Sequence, residues 1–210
     1  MYKPTTITVV VLVLGFAFVA MPAQAHHVMD GMLPQTFLQG LLSGLGHPLI
    51  GLDHAAFILC AGFFLALVER GMAGVVALIA GSLVGAAMFQ AGLRLPAGEV
   101  LVALSVILIG GLLLARRAIK LAWLLVAFAL AGVFHGYAYG ESIFGAEPAP
   151  LGAYLLGLSL IQFAVAVAAF CVHRRLIAMR EAMAKSASTA IGAVTAIIGT
   201  AYLLVGALSA

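Results

Sequence analysis

The sequence predicts an all-α protein, a polytopic bundle of about six transmembrane helices. Hydrophobic residues make up 65% of the 210 positions and charged residues only 8%, whereas soluble domains carry about 25% charged residues. The apolar residues form separate runs, each near the roughly 20 residues that a helix needs to cross a bilayer. The net charge is +3. Because the basic residues lie between apolar runs, they indicate membrane topology rather than nucleic-acid binding.

The N-terminal segment, residues 1–25, has the features of a cleaved secretory signal peptide. Lys3 precedes an apolar run that ends near Ala20, and the run is followed by Ala23-Gln24-Ala25. This small-x-small ending is typical of a cleavage site, although an uncleaved membrane anchor is the alternative. Cleavage would leave one transmembrane domain, residues 26–210, with its N-terminus outside the cytoplasmic membrane.

Six apolar runs follow, and each predicts a transmembrane helix. They lie at about 48–68, 72–93, 99–115, 121–139, 151–172 and 187–208. A shorter run, residues 36–46, predicts a half-helix, a re-entrant segment or an extension of the first span. With an external mature N-terminus, the basic residues of the mature chain fall on the cytoplasmic side, with Arg94 as the exception. This distribution follows the positive-inside rule and supports six spans.

An ionisable cluster interrupts the first apolar run, in the sequence His47-Pro48-Leu49-Ile50-Gly51-Leu52-Asp53-His54. Ionisable side chains inside a membrane segment indicate an ion path or a ligand site. Nitrogen and oxygen donors suit nickel, cobalt or zinc. On a straight helix His47 and His54 would lie about 10 Å apart along the axis and could not both bind one ion directly. Pro48 and Gly51 allow a break that would bring the two imidazoles closer, and the other reading is that they serve successive sites. The alternative is a buried histidine–aspartate hydrogen bond that only joins helices.

The fourth span carries further polar side chains on the same predicted external side. His135 lies near its outer end and Glu141 just beyond, so both are candidate ligands together with the first cluster. Gly132 and Gly136 allow a close helix contact, and we expect the first span to pack there and bring His135 towards His54. Tyr137 and Tyr139 fit an interfacial aromatic belt. His173, at the cytoplasmic edge, is expected to be interfacial.

The mature N-terminus offers a second candidate metal site. Cleavage after Ala25 would expose the α-amine of His26 and place His27 at the second position. An amine, the following backbone nitrogen and an imidazole form small chelate rings that suit Ni²⁺ or Cu²⁺. The alternative is an exposed tail with two incidental histidines.

Enzyme signatures are missing from the sequence. It contains no His-Glu-x-x-His zinc-protease motif, no phosphate-binding Gly-x-x-x-x-Gly-Lys loop and no Gly-x-Ser-x-Gly nucleophile elbow. We therefore expect no enzyme and no transport powered by nucleotide hydrolysis in this chain. Two alternatives stay open: a membrane-bound metal or haem enzyme with His54 and His135 as ligands, and an accessory protein that hands metal to a partner.

Two blocks of the sequence resemble the HupE/UreJ family of nickel and cobalt permeases. The first is Ser43-Gly44-Leu45 with the His47–His54 cluster, and the second is Phe134–Glu141 with Gly145–Pro148. In addition, residues 26–34 are similar to the opening of the substrate-binding membrane subunits of nickel/cobalt energy-coupling transporters. In those subunits the chain's own amine and the second-position histidine bind metal, which implies the amine of His26 and the imidazole of His27 here.

The family resemblance implies transport of Ni²⁺, or of Co²⁺, across the cytoplasmic (inner) membrane to supply nickel enzymes such as hydrogenase or urease. The metal would be cargo, with no prosthetic group. The implied partners are a transition-metal ion and the lipid bilayer, with no nucleic acid, and a homo-oligomer is compatible with the pattern. Both metals accept nitrogen and oxygen donors, so the donor residues alone do not choose between them.

Overall fold

The computed structural model describes residues 32–116 and 119–209, and all regular secondary structure in these ranges is helical. The helices are α1 (Phe37–Ile50), α2 (Leu52–Leu65), α3 (Met72–Gln90), α4 (Gly98–Ala115), α5 (Leu121–Glu141), α6 (Pro148–Met179) and α7 (Glu181–Ser209). Among the described residues, the 5 helices α3 to α7 are each long and apolar enough to cross a membrane, and α1 with α2 makes a sixth candidate span. The predicted fold class is confirmed. The predicted signal peptide, His26 and His27 lie outside the described residues.

The first span is broken into α1 and α2, which meet at an angle of 79°. Thr36 begins α1 through a capping box, in which its side chain accepts a hydrogen bond from the Gln39 backbone and the Gln39 side chain reaches back. Gly51 ends α1 with an extended backbone, φ −69° and ψ 105°. The short apolar run before the first span is therefore the half-helix α1. Of the two residues that allow a break, Pro48 lies within α1 and Gly51 is where the break occurs.

The glycines of α5 pack against α3. A Cβ on Gly132 or Gly136 would meet the backbone of Leu78 or Ser82, and a Cβ on Gly85 of α3 would meet the backbone of Val133. Both helices present glycines at this interface, so their backbones approach more closely than either could approach a helix with side chains there. The expectation that the first span occupies this face of α5 was wrong.

The first span forms a second interface of the same kind, between α1 and α6. The two interfaces correspond position by position. In the interface between α1 and α6 the contacts are Gly40–Pro150, Gly44–Tyr154 and Gly157–Leu41. In the interface between α5 and α3 the corresponding contacts are Gly132–Leu78, Gly136–Ser82 and Gly85–Val133. In both interfaces residue numbers rise together along the two helices, so each pair of helices is parallel.

These matching contacts define an inverted structural repeat. Successive spans cross a membrane in alternate directions, so α1 and α5 run in opposite directions, as do α3 and α6. One unit contains α1 and α3, and the other contains α5 and α6. The helix α2 has no counterpart in the second unit, so no constant period runs along the sequence.

The additional helix α2 occupies the centre of the bundle. Nearly all of its residues from Asp53 to Leu65 are buried, and a Cβ on its Gly62 would meet Ala166 of α6. Helices α4 and α7 pack together through Gly110, Gly192 and Gly199. The broken span therefore places the start of α2, with its ionisable side chains, inside the protein.

Candidate metal centre

Four ionisable residues lie in one buried cluster, three from the first span and His135 from α5. Relative exposure is 7% for His47, 8% for Asp53, 7% for His54 and 1% for His135. The break at Gly51 makes this possible because it starts a new helix within the bundle. Asp53 and His54 then lie in the first turn of α2, and His54 meets His135 in the C-terminal half of α5.

The closest pair in the cluster is His54 and His135, whose Nδ1 atoms lie 2.8 Å apart. The second nitrogen of His135, Nε2, is 2.8 Å from the Ser105 hydroxyl of α4. That hydroxyl donates to the Val102 carbonyl oxygen at 2.7 Å. The His135 Nε2–H then donates to Ser105, the His135 Nδ1 accepts from the Nδ1–H of His54, and the lone pair of His54 lies on Nε2. One proton is therefore shared between the two facing nitrogens.

His47 lies beside this pair and is held by two hydroxyl groups. Its Nδ1 is 3.0 Å from both the Ser142 Oγ and the Tyr154 hydroxyl. Both hydroxyls also donate to the backbone carbonyl of Tyr139, at 2.8 Å and 3.1 Å. The His47 and His54 rings have centroids 6.1 Å apart, well below the separation that a straight helix would impose.

Tyr139 lies beside all three imidazoles and is fully buried at 0% exposure. Its ring centroid lies 5.2 Å from that of His47, 4.5 Å from that of His54 and 6.4 Å from that of His135. The interfacial role expected for Tyr139 was wrong. Tyr139 follows His135 by four residues and therefore lies on the same face of the helix. This spacing is the feature of the sequence that could have indicated that Tyr139 belongs to the cluster.

The two carboxylates have different environments. Asp53 is buried in the first turn of α2, where the helix dipole favours a negative charge. Glu141 is exposed at the end of α5. The structure therefore brings His47, Asp53, His54 and His135 together and leaves Glu141 outside the cluster.

The cluster offers an ion a pair of nitrogens rather than a complete cage. In the described ranges, no three His, Cys, Asp or Glu side chains converge closely enough to hold a metal ion. When two nitrogens bind one ion at 90° to each other, with each nitrogen about 2.0–2.1 Å from the ion, the two nitrogens lie about 2.9 Å apart. The Nδ1–Nδ1 separation of 2.8 Å matches this value, so an ion could replace the shared proton, with water completing its coordination.

His173 forms a separate buried cluster near the other end of the bundle. Its Nδ1–H donates to the Phe63 carbonyl of α2 at 2.6 Å, and its Nε2 is 2.9 Å from the Ser188 hydroxyl of α7. The imidazole also stacks on the Phe63 ring at 4.6 Å. With 1% exposure, His173 is not interfacial as expected; it joins three helices.

The fold and the cluster define a multi-pass membrane protein with an ionisable centre at a broken span. The chain belongs to the HupE/UreJ family, because the family model described as HupE / UreJ protein matches residues 11–202. The resemblance seen in the sequence is thereby confirmed, and the family is associated with nickel and cobalt transport. No curated protein and no solved structure matches the chain.

Proposed function

We propose that this protein carries Ni²⁺, or Co²⁺, into the cell across the cytoplasmic membrane, with the ion as its substrate. The observation that carries the proposal is the buried His54–His135 pair, with Nδ1 atoms 2.8 Å apart at the break of the first span. Imidazole nitrogens suit Ni²⁺ and Co²⁺. An ionisable pair inside a membrane bundle is costly to maintain, which favours a function in ion passage.

The residues of the cluster have distinct proposed roles. His54 and His135 bind the ion through their facing nitrogens. Asp53 supplies the negative charge that a divalent ion needs on leaving water, since an uncompensated charge in a low-dielectric interior is strongly unfavourable. His47 and Glu141 receive the ion on its way from the external side. The amine of His26 and the imidazole of His27 capture it first, once the signal peptide is removed.

The architecture supports transport by alternating access. Inverted repeats combined with broken helices near the membrane midplane are common in secondary transporters, where one unit moves against the other around the binding site. The sequence contains no nucleotide-binding loop, so the proposal does not include nucleotide hydrolysis by this chain as the energy source for transport. An inside-negative potential of 100 mV favours inward movement of a divalent ion by roughly 4.6 kcal/mol.

The pair geometry favours this proposal over a haem enzyme. A haem iron lies between its two axial ligands. Nitrogens in hydrogen-bond contact, as in His54 and His135, leave no room for an iron between them.

The imported metal would supply a nickel enzyme such as hydrogenase or urease.

The test is Ni²⁺ and Co²⁺ uptake in cells that lack other importers, with and without this chain. His54→Gln and His135→Gln should each lower uptake at least tenfold while membrane levels stay normal. Cys171→Ser, at an exposed position outside the cluster, is the control. Metal accumulation that does not depend on the chain would overturn the proposal.

A further inference from the structure

We propose that Tyr139 is a specificity-determining residue of this ion site and that its hydroxyl binds a water molecule of the partly hydrated ion. The inference rests on the proposed transport function and deepens it. Three observations carry it: a buried hydroxyl without a partner, the position of the ring among three imidazoles, and the equivalence of Tyr139 with His47 in the inverted repeat.

The Tyr139 hydroxyl is the buried side-chain polar atom that finds no hydrogen-bond partner within the described part of the chain. Leaving such a group unpaired is destabilising, and native proteins satisfy the large majority of buried polar groups. The Tyr154 hydroxyl nearby shows the usual arrangement, since it contacts both His47 and the Tyr139 carbonyl. A buried hydroxyl without a protein partner, on a ring that packs against the imidazoles of His47 and His54, therefore points to a ligand.

The surroundings identify the chemistry of that ligand. The Tyr139 ring lies 4.5 Å from the ring of His54 and 5.2 Å from the ring of His47. Asp53 belongs to the same first turn of α2 as His54, and atoms of both side chains lie near Gly51. A phenol whose ring packs against imidazoles, with a carboxylate in the adjoining turn, suits a hydrated cation.

The inverted repeat gives an independent argument. The correspondence that equates Gly40 with Gly132 and Gly44 with Gly136 also equates His47 with Tyr139. Each is the third residue after the second glycine of its interface, and the two rings meet edge to face. Each unit of the repeat therefore contributes one polar aromatic ring to the cluster. Tyr139 occupies in the second unit the position that the candidate ligand His47 occupies in the first.

The coordination of the ion explains why a hydroxyl is useful here. The His54–His135 pair supplies two nitrogens, so a six-coordinate ion such as hydrated Ni²⁺ or Co²⁺ keeps several waters. A metal-bound water is a strong donor, and the Tyr139 oxygen can accept from it. Zn²⁺ is usually tetrahedral in proteins and retains fewer waters, so it gains less from this contact.

The experiment compares Tyr139→Phe with Tyr137→Phe in the full-length protein. Tyr137 lies on the same helix, and its hydroxyl accepts a hydrogen bond from the Leu95 backbone at 3.0 Å, away from the histidines. Ni²⁺ and Co²⁺ uptake is measured over a range of concentrations, with Zn²⁺ as competitor. Thermal unfolding of the purified variants is measured alongside.

Tyr139→Phe should raise the KM for Ni²⁺ roughly tenfold, as expected for a lost hydrogen bond to a charged complex, and should increase inhibition by Zn²⁺. Its thermal stability should stay equal or rise, because the substitution removes a buried unpaired group. Tyr137→Phe should keep the wild-type KM and metal preference. Wild-type uptake with an unchanged KM and Zn²⁺ inhibition in Tyr139→Phe would overturn this inference alone, whereas absent wild-type uptake would overturn the proposed function.

Discussion

Replacing Gly51 with alanine should disable the cluster without unfolding the protein. A Cβ at this position would lie 2.7 Å from the Cδ2 atom of His54 and 3.4 Å from an oxygen of Asp53. Ordinary carbon–carbon contacts need about 3.5–4.0 Å, so the imidazole must move by about 1 Å. Its 2.8 Å hydrogen bond to His135 cannot survive that movement.

The expected stability change is moderate because opposing effects partly cancel. The backbone at Gly51, with φ −69° and ψ 105°, suits any residue, and alanine there stabilises the protein by about 0.4–1 kcal/mol because the unfolded chain has fewer conformations. The movement of His54 leaves the buried Nδ1 of His135 unpaired, which costs about 1–3 kcal/mol. The net destabilisation should therefore be at most about 2.5 kcal/mol, whereas a 1 Å displacement of a functional group can cost about 100-fold in activity.

The assay is Ni²⁺ uptake together with thermal unfolding of the purified protein. Gly51→Ala should lower uptake between about ten- and a hundredfold while the unfolding midpoint falls only modestly and the protein stays folded at the assay temperature. Gly111→Ala is the matched control, because a Cβ at Gly111 meets nothing within 4 Å, and it should transport normally. Wild-type uptake by Gly51→Ala would refute the reasoning that the position of the His54 imidazole controls transport.

Two further substitutions separate the ion site from the structural polar contacts. Ser105→Ala leaves the buried Nε2 of His135 unpaired, so we expect a loss of about 1–3 kcal/mol in stability and reduced uptake; Ser105→Thr keeps the hydroxyl and should restore most of both. His173→Ala removes the contacts to Phe63 and Ser188 and should lower the unfolding midpoint in detergent while the molecules that remain folded keep the wild-type KM for Ni²⁺. A changed KM in His173→Ala would place His173 on the ion path.

The fold class was predictable because a bilayer imposes it. Six runs of suitable length and the distribution of arginines and lysines left little choice of architecture. A break at Pro48 or Gly51 was also foreseeable as one way for His47 and His54 to share an ion, but the sequence did not choose between these two residues and left successive sites open. The approach of His135 to His54 was expected from their common depth.

The partners of each helix could not be read from the sequence. Glycine spacing shows that a helix face accepts a close neighbour but does not identify that neighbour, which is why α5 was assigned to the first span rather than to α3. Hydroxyl groups such as those of Ser105 and Tyr154 are common in membrane helices. Only the tertiary fold shows that Ser105 contacts His135 and that Tyr154 contacts His47. Tyr139 was misassigned because an aromatic residue near a helix end is usually interfacial.

X-ray absorption spectroscopy of the Ni²⁺-loaded protein tests whether His54 and His135 bind the ion together. The protein carries alanine at positions 26 and 27 so that only the membrane site binds. We expect a first shell of nitrogen and oxygen with the scattering of two imidazoles, and His54→Gln and His135→Gln should each remove one of them. A first shell without imidazole, or one that both substitutions leave unchanged, would show that the two histidines do not bind the ion.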